Sequence, residues 1–150
     1  MNEGAFRAEA HAEGRAFVAF GSWVFAMDLW TGKRVWYAET HTSHGGIAQY
    51  QPRVVVVGDR VVTAVGKTVT CLAVENGALV WRVESPIHPI ACIVTEGVVV
   101  VGNNGEAAAF DLRDGRLLWH DPFTNLGTGL TTLAATNAAS KPALAGRWEA

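Results

Sequence analysis

The residues of this chain that could do chemistry are few and widely spaced. His41 and His44 frame the run His-Thr-Ser-His, a spacing that suits a pair of metal ligands. A protein metal site takes three or four donors held on rigid elements. These two stand in a loop stretch, Glu39 to Gly46, with no third ligand beside them, so they read as solvated loop residues and only as weak metal candidates. His88 and His120 are single, one beside Pro89 and the other beside Asp121. Cys71 and Cys92 lie in apolar stretches and read as buried thiols acting as small hydrophobes. A disulfide between them is the sharper alternative, and nothing in the spacing supports it. Ser22, Lys67 and Thr68 fall at expected turn tips with no base in reach by sequence. The run Gly102-Asn103-Asn104-Gly105 is a turn and not a phosphate loop, because no helical pattern follows to supply N-terminal amides. No catalytic residue, cofactor or metal is expected from these elements.

Composition narrows the classes further. Of the 150 residues, 49% are hydrophobic and 17% charged, enough apolar material for a packed core. The net charge is −2 and the cations are scattered, Lys33-Arg34 being the densest spot, so nucleic acid and anionic lipid are not expected partners. Apolar runs such as Val54–Val57 and Val98–Val101 have the length of strands, not of membrane spans. Met1 to Arg7 show no basic region followed by an apolar one, which gives an expectation of a soluble, cytoplasmic protein.

The elements that must position these residues are set by an internal repeat. Three segments align: Arg15–Trp36, Val61–Trp81 and Val98–Trp119. Gly32, Gly77 and Gly115 each precede a tryptophan by four residues, namely Trp36, Trp81 and Trp119. Trp36 to Trp81 spans 45 residues and Trp81 to Trp119 spans 38. That period accommodates four short strands with their turns, one blade of a β-propeller. Gly21-Ser22, Gly66-Lys67 and Asn103-Asn104-Gly105 supply hairpin turns, and Thr31-Gly32, Asn76-Gly77 and Asp114-Gly115 supply the next ones. The tryptophan strand is outermost. Innermost strands are expected at about Ala5–Ala12, Tyr50–Val57 and Pro89–Thr95.

The pattern Ala-x-Asp-x-x-Thr-Gly-x-x-x-Trp resembles the repeat of the quinoprotein-type, pyrroloquinoline-quinone-like propeller family. Blade one matches through Ala26, Asp28, Thr31, Gly32 and Trp36. Blade three keeps Ala109, Asp111, Gly115 and Trp119 with Asp114 in the threonine place. Blade two has Ala73 for the aspartate and Asn76 for the threonine. The resemblance implies that Trp36, Trp81 and Trp119 dock on neighbouring blades, that Gly32, Gly77 and Gly115 support them, and that Asp28 and Asp111 stabilise turns. It also implies an alternative function, a quinone-dependent dehydrogenase with a metal ion and an acidic base at the ring centre. The vicinal cysteines that some such enzymes carry are absent here.

The expected fold is all-β: a partial propeller of three four-stranded antiparallel blades, at about 5–40, 49–84 and 87–123, followed by a tail or arm at 124–150. Repeat arrays normally end in polar caps. Phe17, Phe20, Phe25, Phe110 and Leu118 leave the terminal blades as apolar as the central one. Completion by oligomerisation, most simply as a homodimer, is therefore expected, with the chain's main partner being itself. Trp30, which the repeat does not explain, and Leu130, Leu133 and Trp148 of the tail are candidate interface residues, the tail ones as an arm adding a strand to another subunit. The expected function is a non-catalytic scaffold or interaction module that self-assembles, compatible with a structural component of a larger particle such as a virion.

Overall fold

The computed structural model describes residues 14–40, 51–129 and 131–136. The expected innermost strand at 5–12 of blade one lies outside these residues, as do His41, His44, Leu130 and Trp148. The strands are β1 (Arg15–Phe20), β2 (Trp23–Asp28) and β3 (Arg34–Glu39) in blade one; β4 (Arg53–Val57), β5 (Arg60–Val65), β6 (Thr68–Ala73) and β7 (Leu79–Glu84) in blade two; and β8 (Ala91–Thr95), β9 (Val98–Asn103), β10 (Glu106–Asp111) and β11 (Leu117–Asp121) in blade three. Among the described residues there is no helix. Each sheet is an antiparallel meander with sequential neighbours paired, the arrangement of a partial β-propeller.

The turns follow from backbone sterics. Gly21, Gly58 and Gly66 sit at φ between 55° and 61°, the left-handed region a tight hairpin demands. Glu96-Gly97 and Asn104-Gly105 have positive φ at both central positions, a type I′ geometry matched to strand twist. The innermost strands β4 and β8 start later than expected, just beyond Pro52 and the Pro86–Pro89 stretch, because proline has no N–H to give to a ladder. The outer strands run on past their tryptophans to Glu39, Glu84 and Asp121.

The middle strands of blade two lack polar–apolar alternation because both faces of that blade are covered. One core cluster fills the seam between blades one and two: Val24, Phe17 and Trp36 against Val61, Leu72 and Val74. The other fills the seam between blades two and three, where Val62, Val69 and Trp81 meet Val94, Val99 and Phe110. Thus Phe17 and Phe110, expected on outer faces, point inward to blade two.

Candidate interface: the blade seams and the open end faces

Each blade closes its outer hairpin in the same way. The amides of Gly32, Gly77 and Gly115 donate to the carbonyls of Asp28, Ala73 and Asp111 at 2.7–2.9 Å. The residue before each glycine differs in type and not in role. Thr31 Oγ1, Asn76 Oδ1 and Asp114 Oδ1 each accept the amide two residues on, from Lys33, Ala78 and Arg116. Any short side chain with an acceptor oxygen completes this turn. Asp28 Oδ1 accepts the amides of Trp30 and Thr31. Asp111 Oδ1 accepts the amide of Arg113, whose guanidinium also grips the carboxylate at 2.9 Å. These bonds to Arg113 hold the Asp111 carboxyl down at about 2, well below the usual aspartate value. Blade two has no aspartate here and still forms the turn, so the carboxylates reinforce it without being required.

Beyond each turn a register shift falls at one repeat position, after Ala26, Cys71 and Ala109. It sets Trp36, Trp81 and Trp119 opposite those residues. From there the first two indoles cross to the next blade. Trp36 Nε1 donates to the Val74 carbonyl at 2.8 Å, and Trp81 Nε1 donates to the Leu112 carbonyl at 2.7 Å. Their rings lie flat on glycine. A Cβ on Gly77 would stand 2.5 Å from Trp36 Cε3, and one on Gly115 would stand 2.6 Å from Trp81 Cε3. Glycine is needed in these seats for two reasons, positive φ and the ring above it.

Arginines that sequence reasoning did not single out add to the first seam. Arg15 Nη1 donates to the carbonyls of Val74 and Glu75. Arg82 Nη2 donates to the Glu39 carbonyl at 2.7 Å, and Thr70 Oγ1 donates to that of Thr40. At the second, Arg53 Nε donates to the Ile90 carbonyl.

Trp119 has a different setting. No described residue accepts from its indole, and 46% of it is exposed. At the other end no atom of the described residues lies within 4 Å of the Cβ position of Gly32, and Leu29, the counterpart of Val74 and Leu112, is exposed. Among the described residues, blade one therefore holds a seat without a tryptophan, and blade three a tryptophan without a seat.

The far face of blade one carries an aromatic cluster. Phe20 stacks on Phe25 with centroids 5.4 Å apart, Tyr37 packs on both Phe25 and Trp23, and the Arg34 guanidinium lies 5.9 Å from the Phe25 centroid. Phe20 is 55% exposed and Tyr37 60%. By repeat position Val18, Phe25 and Met27 correspond to Thr63, Thr70 and Leu72 of blade two and to Val101, Ala108 and Phe110 of blade three. Those six are sealed from solvent by the preceding blade. Sequence reasoning found Phe20 and Phe25 but missed Trp23 and Tyr37, which need the cross-strand pairing to be seen.

The far face of blade three is not bare, which differs from the expectation of an uncapped end. A Cβ on Gly102 would meet Thr131 and Leu133, and the Gly105 amide donates to Thr131 Oγ1. Thr95 Oγ1 donates to the Thr136 carbonyl. Residues 131–136 thus lie along β8 and β9 of their own chain, the place where a following blade begins, and form no strand. Leu133, expected as an anchor for another subunit, rests on its own blade three. Trp30 projects from its turn 54% exposed, with its amide bound to Asp28.

Both cysteines are free. Burial raises the Cys71 thiol and pushes that of Cys92 up to about 12, so neither has thiolate character. Among the described residues no three of His, Cys, Asp and Glu stand together as metal ligands. Asp28 and Asp111, the aspartates of the repeat, are committed to turn amides. Among the described residues this donor set does not fit a quinone–metal pair.

The repeated turn, the bulge and the docked tryptophans define a β-propeller of quinoprotein type. A family model described as outer membrane protein assembly factor BamB matches residues 10–147, and the chain belongs to that family. The structure of BamB from Moraxella catarrhalis is similar at 21% identity and a TM-score of 0.56, over 72% of this chain and 34% of that one. Quinohemoprotein alcohol dehydrogenase from Comamonas testosteroni matches at 21% identity and 0.59, over 71% of this chain and 19% of that one. The Neurospora crassa Pan2 WD40 domain matches at 13% and 0.62, over 74% and 35%. The chain thus spans about a third or less of the length of these structures, and the likeness is one of fold. No curated protein matches the sequence significantly.

Proposed function

We propose that this chain is a non-catalytic interaction module that binds protein through its open blade faces, and that it does so with further copies of itself. The observation that carries the reading is the aromatic far face of blade one, whose repeat counterparts in the other blades are sealed by a neighbouring blade. Burying such rings is a strong, non-directional drive to association. An assembly-factor family and a likeness to a WD40 domain support an interaction role. The simplest closed form is a two-fold homodimer, and a structural place in a larger particle uses the same surfaces.

Sedimentation or light scattering at micromolar concentration tests this. The expected result is a dimer or larger species, dissociated by Phe20→Arg. A 16.0 kDa monomer for the unaltered chain would refute it. The likeness to a quinohemoprotein dehydrogenase motivates a second assay, with added quinone, calcium ions, an alcohol and an artificial acceptor. Acceptor reduction above blank would overturn the non-catalytic part.

A further inference from the structure

Resting on that reading, we propose that the far face of blade three and the far face of blade one are the two halves of one seam, made between two copies of the chain. Trp119 of one copy sits over Gly32 of the other, and its indole N–H donates to the Leu29 carbonyl there.

The template for this seam occurs twice within the chain, with one polarity. Trp36 reaches forward to Gly77 and the Val74 carbonyl, and Trp81 reaches forward to Gly115 and the Leu112 carbonyl. Trp119 is the forward-reaching group of blade three, and Gly32 with Leu29 is the receiving seat of blade one. Both are unfilled among the described residues. Joining them continues an existing interface with the same direction and the same chemistry.

The repeated polarity selects a copy of this chain: blade three presents the same forward-reaching indole that the seat on blade one takes, with Leu117 and Leu118 exposed beside it. Gly102, Ala107 and Ala109 are already buried within the single chain, Gly102 beneath Thr131 and Leu133, so the contact is made at the outer end of blade three. The tail at 131–136 occupies the inner end of this face, along β8 and β9, and leaves the outer end around Trp119 open.

The seam is heterologous, which gives a mixing test. Trp119→Ala removes the forward group, and Phe20→Arg spoils the receiving face. Both residues are about half exposed in the single chain, so neither change disturbs its core, and near-ultraviolet circular dichroism checks the fold. Each variant alone is expected to have its dissociation constant raised at least tenfold, to a monomer at micromolar concentration. An equimolar mixture is expected to re-form a 1:1 dimer, because the unaltered Trp119 of one variant meets the unaltered blade one of the other. If the unaltered chain associates but Trp119→Ala does so equally well, the seat is wrong while self-association stands. If both variants dissociate and the mixture does not re-form a dimer, the contact joins like faces and the head-to-tail seam is refuted. A monomeric unaltered chain removes both proposals.

Discussion

Replacing Trp81 by alanine measures what a docked tryptophan contributes to holding two blades together. The indole is 7% exposed, lies on Gly115 and donates to the Leu112 carbonyl at 2.7 Å. A buried indole removes about 200 Å² from water, which at about 25 cal/mol per Å² is ~5 kcal/mol as an upper bound. Measured Trp→Ala costs in cores run about 3–5 kcal/mol, the void left behind included. Stripping the carbonyl of its donor adds about 1 kcal/mol. The expected loss is therefore about 4–6 kcal/mol, a large part of the roughly 5–15 kcal/mol that stabilises a single domain. Trp81→Phe keeps most of the ring contact and loses the hydrogen bond, for about 1–2 kcal/mol. Trp119→Ala serves as the control, since that indole is half exposed and has no acceptor among the described residues; its expected cost to the single chain is below about 1 kcal/mol. Urea unfolding followed by circular dichroism, at dilutions where the midpoint no longer depends on protein concentration, gives all three values. Equal costs for Trp81→Ala and Trp119→Ala would show that the seam does not depend on the docked ring.

The glycine seats make a parallel pair. Gly115→Ala and Gly32→Ala both force a side chain into positive φ, at about 1–2 kcal/mol each, but only Gly115 also meets a ring at 2.6 Å. Gly115→Ala should be the more damaging in thermal unfolding of the single chain, and equal shifts would refute the close-approach argument. Acid should remove the contribution of Asp111. Its folded-state value of about 2 lies below the ordinary 3.8, so the stabilisation is fully present above about pH 4 and is lost as pH falls toward 2. The stability gap between the unaltered chain and Asp111→Asn should narrow over that range, and a gap that widens with acid would contradict the Arg113 pairing.

The repeat was legible in the sequence because its determinants are local. A tight hairpin admits few residues at positive φ, so Gly66 and Asn104-Gly105 announce their turns, and the Gly-to-Trp spacing carries the outer strand with it. Thr31, Asn76 and Asp114 look like divergence as letters, yet all supply the same acceptor oxygen to the same amide, so the turn survives. The tryptophan docking could be inferred from the resemblance, but its filled and unfilled places could not. Trp36, Trp81 and Trp119 occupy equivalent places in the repeat, and only the tertiary contacts separate Trp81, buried against blade three, from Trp119, half exposed and without an acceptor among the described residues.

The faces of the strands were decided by tertiary structure alone. A half-buried strand reveals its inner face by alternation, but a blade is covered on both sides and its strands are apolar throughout. Phe17 and Phe20 are therefore indistinguishable in the sequence, although one fills the seam with blade two and the other lies on the open face. The aromatic cluster of Phe20, Trp23, Phe25 and Tyr37 exists only once β1, β2 and β3 pair in register. The tail follows the same logic. Leu133 meets Gly102 across a long loop of chain, and no local pattern encodes that contact, because what places Leu133 there is the shallow surface that Gly102 and Ala107 leave on the far side of blade three.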